Sequence, residues 1–241
     1  MKKAISVLVI CIILIGIPIL SACKQKQEKI DLELPSNAAT VDEFYPVQNA
    51  GSVEESDNVN GMRFTLTLSD FTQRYNEIKT KLGQTDFISF DGWLKNGEQK
   101  TDEKGVAIQY YYYNTDKTNL TATVETESGK LLNIGVGTTI SSFMAQEGDS
   151  GSSNRVLEQA AITAEAACGF PTGSEEFLEN IFYRITTDSR DSFWYRGFVF
   201  SLSTQENKTD SKSSIMLFRV FPVSDTLKEE WGIDEYHLTQ N

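Results

Sequence analysis

The stretch VAIQYYYYNTDKTNLTATVETESGKLLNIGVG (106–137) constrains the fold of this chain more than any other. Apolar and polar residues alternate through much of it, and a period of two sends successive side chains to opposite faces of a strand. VAIQYYYY (106–113), LTATVET (120–126) and LLNIGVG (131–137) therefore read as strands. Glu127-Ser128-Gly129-Lys130 between the last two is a hairpin signal. With the β-rich FISFDGWL (87–94) placed ahead of them, a four-stranded antiparallel meander is expected.

A helix precedes the meander. In LSDFTQRYNEIKTKLG the apolar residues Leu68, Phe71, Tyr75, Ile78 and Leu82 recur three and four apart, the spacing of one helix face. Ser69 or Asp70 is the expected cap and Gly83 the expected stop. The second half repeats the order. EGDSGSSN (147–154) is a break, RVLEQAAITAEAACGF (155–170) an Ala-rich helix, and Thr172 with Glu175 a capping box before EEFLENIFYRI. SFWYRGFVFSL (192–202) and SSIMLFRVFPV (213–223) read as two strands of a hairpin, and DTLKEEWGI as a last helical turn. The expected class is α+β: an antiparallel sheet, built from a four-strand meander plus a C-terminal hairpin, with helices packed on one face. Both halves run from helix to strands, which admits a tandem helix-then-strands repeat, although the halves do not align residue for residue.

Residues 24–61, with Pro35, Pro46 and scattered acids, have the composition of a disordered tether of roughly 35 Å r.m.s. span. Within it VDEFYPV (41–47) has enough apolar character for a short docking strand. The expected division is a leader at 1–22, the tether at 23–61 and one globular domain at 62–241, with a sub-boundary near 147–154.

The leader carries the address. Lys2 and Lys3 precede an apolar run, Ala4 to Leu20, that ends in Leu20-Ser21-Ala22-Cys23, the layout of a secretory signal. The run sits at the lower edge of what spans a bilayer, so length alone leaves a retained anchor open. Leu-Ser-Ala-Cys resembles the lipobox of bacterial lipoproteins, a resemblance confined to residues 1–23. It implies cleavage before Cys23, a diacylglycerol on the Cys23 thiol and an acylated new N-terminus. Several acyl chains hold a protein durably where one does not. The expected location is the extracytoplasmic face of a cell membrane.

Charge narrows the partners. The full chain carries 22 basic and 34 acidic groups. Cleavage removes Lys2 and Lys3 and leaves a net −14. Such acidity disfavours nucleic acid, and no polybasic cluster follows Cys23 to dock on anionic lipid. Of three cysteines, Cys11 lies in the leader and Cys23 in the lipobox, so Cys168 stands alone without a disulfide framework.

Catalytic signals are sparse. The single histidine, His237, lies in the acidic tail beside Asp234 and Glu235, which reads as a frayed terminus before it reads as a metal site. HExxH, CxxC, a phosphate loop and an EF-hand loop do not occur, and no cofactor is expected. Cys168 in AEAACGF reads as a small core residue, with no cation beside it in sequence to lower its pKa. Asn119 and Asn207 begin glycosylation sequons that the bacterial address makes incidental.

The aromatic strands are the better candidates. Tyr110 and Tyr112 share one face, and Tyr111 and Tyr113 the other. Read as one strand, SFWYRGFVF sets Phe193, Tyr195 and Val199 against Trp194, Arg196, Phe198 and Phe200. Strands apolar on both sides are covered twice or present a binding face. Tyr111, Tyr113, Trp93 and Trp194 are taken as the candidate binding surface. The expected function is a non-enzymatic binding module for an envelope protein, peptide or glycan. A carboxylate-dependent envelope hydrolase is the alternative, because two acids suffice for glycoside hydrolysis. A small-molecule receptor is the third reading, disfavoured by chain length.

Overall fold

The computed structural model describes residues 53–115, 118–139, 154–169, 192–195, 197–205 and 214–233. Ten strands and three helices lie within them: β1 Val53–Glu55, β2 Met62–Phe64, α1 Leu68–Lys81, β3 Leu94–Lys95, β4 Lys100–Thr101, β5 Ala107–Asn114, β6 Asn119–Glu125, β7 Leu131–Thr139, α2 Asn154–Cys168, β8 Ser192–Tyr195, β9 Phe198–Gln205, β10 Ile215–Pro222 and α3 Asp225–Glu230. The class is α+β, with an eight-stranded antiparallel sheet in the order β3-β5-β6-β7-β10-β9-β8 and β4 also paired to β5.

The centre of the sheet is a long-range pairing. β7 ends the meander of the first half and β10 ends the strands of the second, and they join from Ile215↔Thr139 to Val220↔Ile134. Each half thus contributes a helix followed by strands, and the last strand of each meets the other in the middle. The C-terminal hairpin is not an edge addition. Its outer strand, β8, forms the edge instead.

Helix α1 forms where its periodicity places it and buries Leu68, Phe71, Tyr75 and Ile78. Its cap, Thr67, lies two residues before Ser69, the nearer of the two expected caps. Thr67 accepts from the Asp70 amide, and the Asp70 carboxylate accepts from the Thr67 amide, satisfying two orphan donors of the first turn. α2 packs on α1, where the Tyr75 hydroxyl donates to Gln159. It also packs on β7, and Ala160, Ala161, Ala164 and Ala167 are fully buried. Alanine lets a helix approach closely without losing helix propensity. Under these two helices lie Leu120, Ala122, Ile134, Val136, Phe218 and Val220, all nearly solvent-free. Short α3 is different. Lys228 Nζ sits 4.0 Å over the Trp194 ring, which puts α3 against the opposite sheet face, at its β8 end.

Three local expectations are corrected. Residues 53–61, expected in the tether, are structured: β1 pairs with β2, and the Asn58 amide closes their loop by donating to Met62 O at 2.9 Å while its oxygen accepts from the Asn60 amide. FISFDGWL is not one strand. It holds a 3₁₀ turn at Phe90–Gly92 before β3, because Gly92 lies so close to the Tyr113 ring that no side chain fits there. SFWYRGFVFSL is two strands, and Gly197, just before the second, takes φ +88°. A positive φ favours glycine. The reversal makes Phe193 pair with Phe200 and Tyr195 with Phe198, so these four share a face that the one-strand reading had split. The helix expected at EEFLENIFYRI, residues 1–52 and His237 lie outside the described residues.

Candidate functional site

Directly paired residues of an antiparallel sheet point to the same side. One register row therefore runs Tyr113–Leu120–Val136–Phe218–Leu202 on the side of α1 and α2. The next row, Tyr112–Thr121–Gly135–Arg219–Ser201, faces away from those helices. So does the row Asn119–Gly137–Leu217–Ser203.

Of the four sequence-nominated residues, three lie on the helix side. Trp93 is buried, donates from Nε1 to Thr72 Oγ1 at 3.0 Å, and meets Phe71 and Tyr113 edge-on at 6.3 and 5.6 Å. The Tyr113 hydroxyl accepts the Ser89 amide, and Tyr111 pairs with Ala122 in the same layer. Trp194 pairs with Val199 on the other side, beneath Lys228. The structure does not bring these four together. The tyrosines that share the face opposite α1 and α2 are Tyr110 and Tyr112, and Tyr111 also borders the groove there.

That face is an open groove of about 1040 Å³, lined among others by Tyr110, Tyr112, Thr121, Leu217, Arg219 and Phe221. Leu94 and Ile215, both exposed, stand on the same side, and Trp231 lines its rim. Gly137 of β7 lines it, and Gly135 faces the same side two residues earlier. A methyl group at Gly135 would overlap the Phe218 carbonyl oxygen and lie 3.0 Å from Arg219 Cγ and 3.1 Å from Thr121 Oγ1. Both side chains therefore crowd the space above Gly135, and only hydrogen permits it. Glycine inside a strand often marks such a close approach.

One row of this face is unusual in its polar chemistry. Thr121 Oγ1, Arg219 Nε and Ser201 Oγ are all buried and have no hydrogen-bond partner among the described residues. Leaving a buried polar atom unsatisfied costs about 1–3 kcal/mol, more for a charged group, so three in register are a concentrated cost.

Two carboxylates line the groove, those of Asp102 and Glu103. Asp102, on the groove rim with Glu103, accepts backbone N–H groups from Val59, Lys104 and Val106. Buried Glu125 takes Arg63, the Ser56 hydroxyl and the Ser128 hydroxyl. Arg63 Nε and Lys130 Nζ hold Glu54 at 2.6 and 2.7 Å, and the hydrogen bonds from Lys130 and Arg63 draw the Glu54 pKa below its ordinary value. This network fastens the β1–β2 hairpin to the β6–β7 turn. Among the described residues no group of three or more His, Cys, Asp or Glu side chains is placed to hold a metal. Cys168 is fully buried, and burial raises its thiol pKa, as befits a core residue. No helix among the described residues is long and apolar enough to cross a membrane.

Sequence reasoning nominated Tyr111 and Tyr113, which the register sets on the side of α1 and α2, and it did not single out Gly135, Thr121, Ser201 or Arg219. The signal available for Gly135 was a glycine inside an otherwise apolar strand. Comparison with known families, curated proteins and solved structures finds no match to this chain, so the site is argued from its own residues.

Proposed function

We propose that this chain is a membrane-anchored bacterial lipoprotein, held by lipid on Cys23, whose α+β domain binds an envelope protein, peptide or glycan through the face of its sheet opposite α1 and α2. The observation that carries the reading is the groove itself: an open face lined by Tyr110, Tyr112 and Arg219 among others, residue types that dominate binding energy at interfaces. A monomer gains nothing by leaving tyrosine and aliphatic side chains beside unsatisfied polar atoms, whereas a bound partner covers the first and satisfies the second. The lipid supplies the address and the acidic body stays clear of anionic headgroups.

Two experiments test the halves of this proposal separately. Metabolic labelling with a fatty-acid probe is expected to mark the wild-type chain and not Cys23→Ser, and label retained in the variant refutes the anchor. Copurification from native membranes is expected to yield one stoichiometric component that is lost with Tyr112→Ala and kept with Glu77→Ala, which alters exposed α1. Equal recovery with both variants refutes the face.

A further inference from the structure

The row Thr121–Gly135–Arg219–Ser201 has the make-up of an anion receptor. Its strands stand about 4.8 Å apart, so the two hydroxyls flank the guanidinium across four neighbouring strands. Gly135 removes the side chain that would separate Thr121 from Arg219, leaving an arginine that lies toward a hydroxyl over bare backbone. Arg219 has no carboxylate partner among the described residues, and its Nε is buried unpaired. Among the described residues Arg63 pairs with Glu54 and Glu125, Lys79 with Asp86 and Lys130 with Glu54, whereas Arg219, at the centre of the open face, makes no such pair.

We infer that this slot receives the carboxylate of an aspartate or glutamate side chain presented by a polypeptide partner laid across the sheet. The inference rests on the proposed docking face and adds the chemistry it selects. A planar guanidinium matches a carboxylate two-pronged, and the Thr121 and Ser201 hydroxyls can each donate to the remaining lone pairs. The surroundings favour a polypeptide over an acidic sugar. Leu94 and Ile215, 47% and 41% exposed, stand on this side together with Leu217 and Phe221, and they offer apolar contact that sugar hydroxyls would leave unpaired.

The test reads the slot itself and needs no partner in hand. The full chain in dodecyl maltoside micelles is labelled with ¹⁵N-arginine, giving Nε–Hε signals from seven arginines, with Arg219 assigned by its absence in Arg219→Lys. Acetyl-Gly-Asp-Gly-amide is expected to shift the Arg219 signal saturably with a Kd on the order of 10 mM, as suits one charged contact. Acetyl-Gly-Asn-Gly-amide is expected to leave it unmoved. Thr121→Val, which keeps shape and removes a hydroxyl, is expected to weaken the aspartyl peptide about threefold or more. Glucuronate is expected to bind no more tightly than that peptide. Absence of an Arg219 shift, an equal shift with the asparaginyl peptide, or a linear drift shared by all seven arginines overturns the slot, while the copurification result above still judges the face. Tighter binding of glucuronate overturns the polypeptide assignment.

Discussion

Replacing Gly135 by alanine puts a methyl group into the centre of the sheet, where β7 meets β10. It would overlap the Phe218 carbonyl oxygen, which is backbone and has no rotamer to escape into, and press on Arg219 Cγ and Thr121 Oγ1 at 3.0 and 3.1 Å. Overpacking of this kind costs about 1–3 kcal/mol, and a backbone contact places Gly135→Ala in the upper half of that range. For a domain of this size each kcal/mol moves the Tm by about 2–4 °C, so a fall of about 4–12 °C follows. Gly137, two residues on and on the same face, is the control. A methyl there would meet Leu217, Asn119 O and Ile215 at 3.7, 3.8 and 3.8 Å, ordinary van der Waals contact. Gly137→Ala is therefore expected to be neutral or to stabilise by about 0.5–1 kcal/mol, because alanine loses less backbone entropy on folding. Urea and thermal unfolding of the chain from Lys24 onward, with m-values compared, measure both. Equal stability of the two variants, or a Gly135→Ala protein as stable as wild type, refutes the register and the crowding above Gly135.

Trp93→Ala removes a buried indole and its bond to Thr72, for an expected loss of about 3–5 kcal/mol, whereas Tyr112→Ala on the open face costs about 1 kcal/mol or less by the same urea titration. Asp70, through its hydrogen bonds from Thr67, and Glu54, through those from Lys130 and Arg63, have folded pKa values below their ordinary ones. Their stabilisation is thus complete above about pH 5 and is lost as pH falls through the lowered values, so Asp70→Asn and Glu54→Gln should lower stability at pH 7 and flatten the acid limb of a Tm–pH profile. In the chain from Lys24 onward Cys168 is the only thiol, and burial should keep it unreactive to a thiol reagent until urea unfolds the domain. Rapid labelling of the folded protein would contradict its core position.

What the sequence could and could not convey follows from the range of the interactions. Helix α1 was legible because its stripe of Leu68, Phe71, Tyr75 and Ile78 is a local pattern, and β5, β6 and β7 because alternation and the Gly129 turn are local too. The change of direction at Gly197 was hidden by the aromatic residues on either side, although the glycine was there to be read. The parity of the tyrosines was legible, but which parity meets the helices was not. That choice is made by Trp93, which wedges between Phe71 of α1 and Tyr113, a contact no periodicity encodes. The central placement of β10 against β7 is likewise a pairing of distant segments, and the row through Gly135 and Arg219 exists only because of it.

The claim that organises the rest is that one face of β5 meets the partner and the other meets the core. A photo-crosslinking residue placed in turn at Tyr110, Tyr111, Tyr112 and Tyr113, in cells carrying the intact chain, reads this strand directly. Adducts strong at 110 and 112 and weak at 111 and 113 are the predicted result. A flat profile, or strong adducts at 111 and 113 alone, would contradict it.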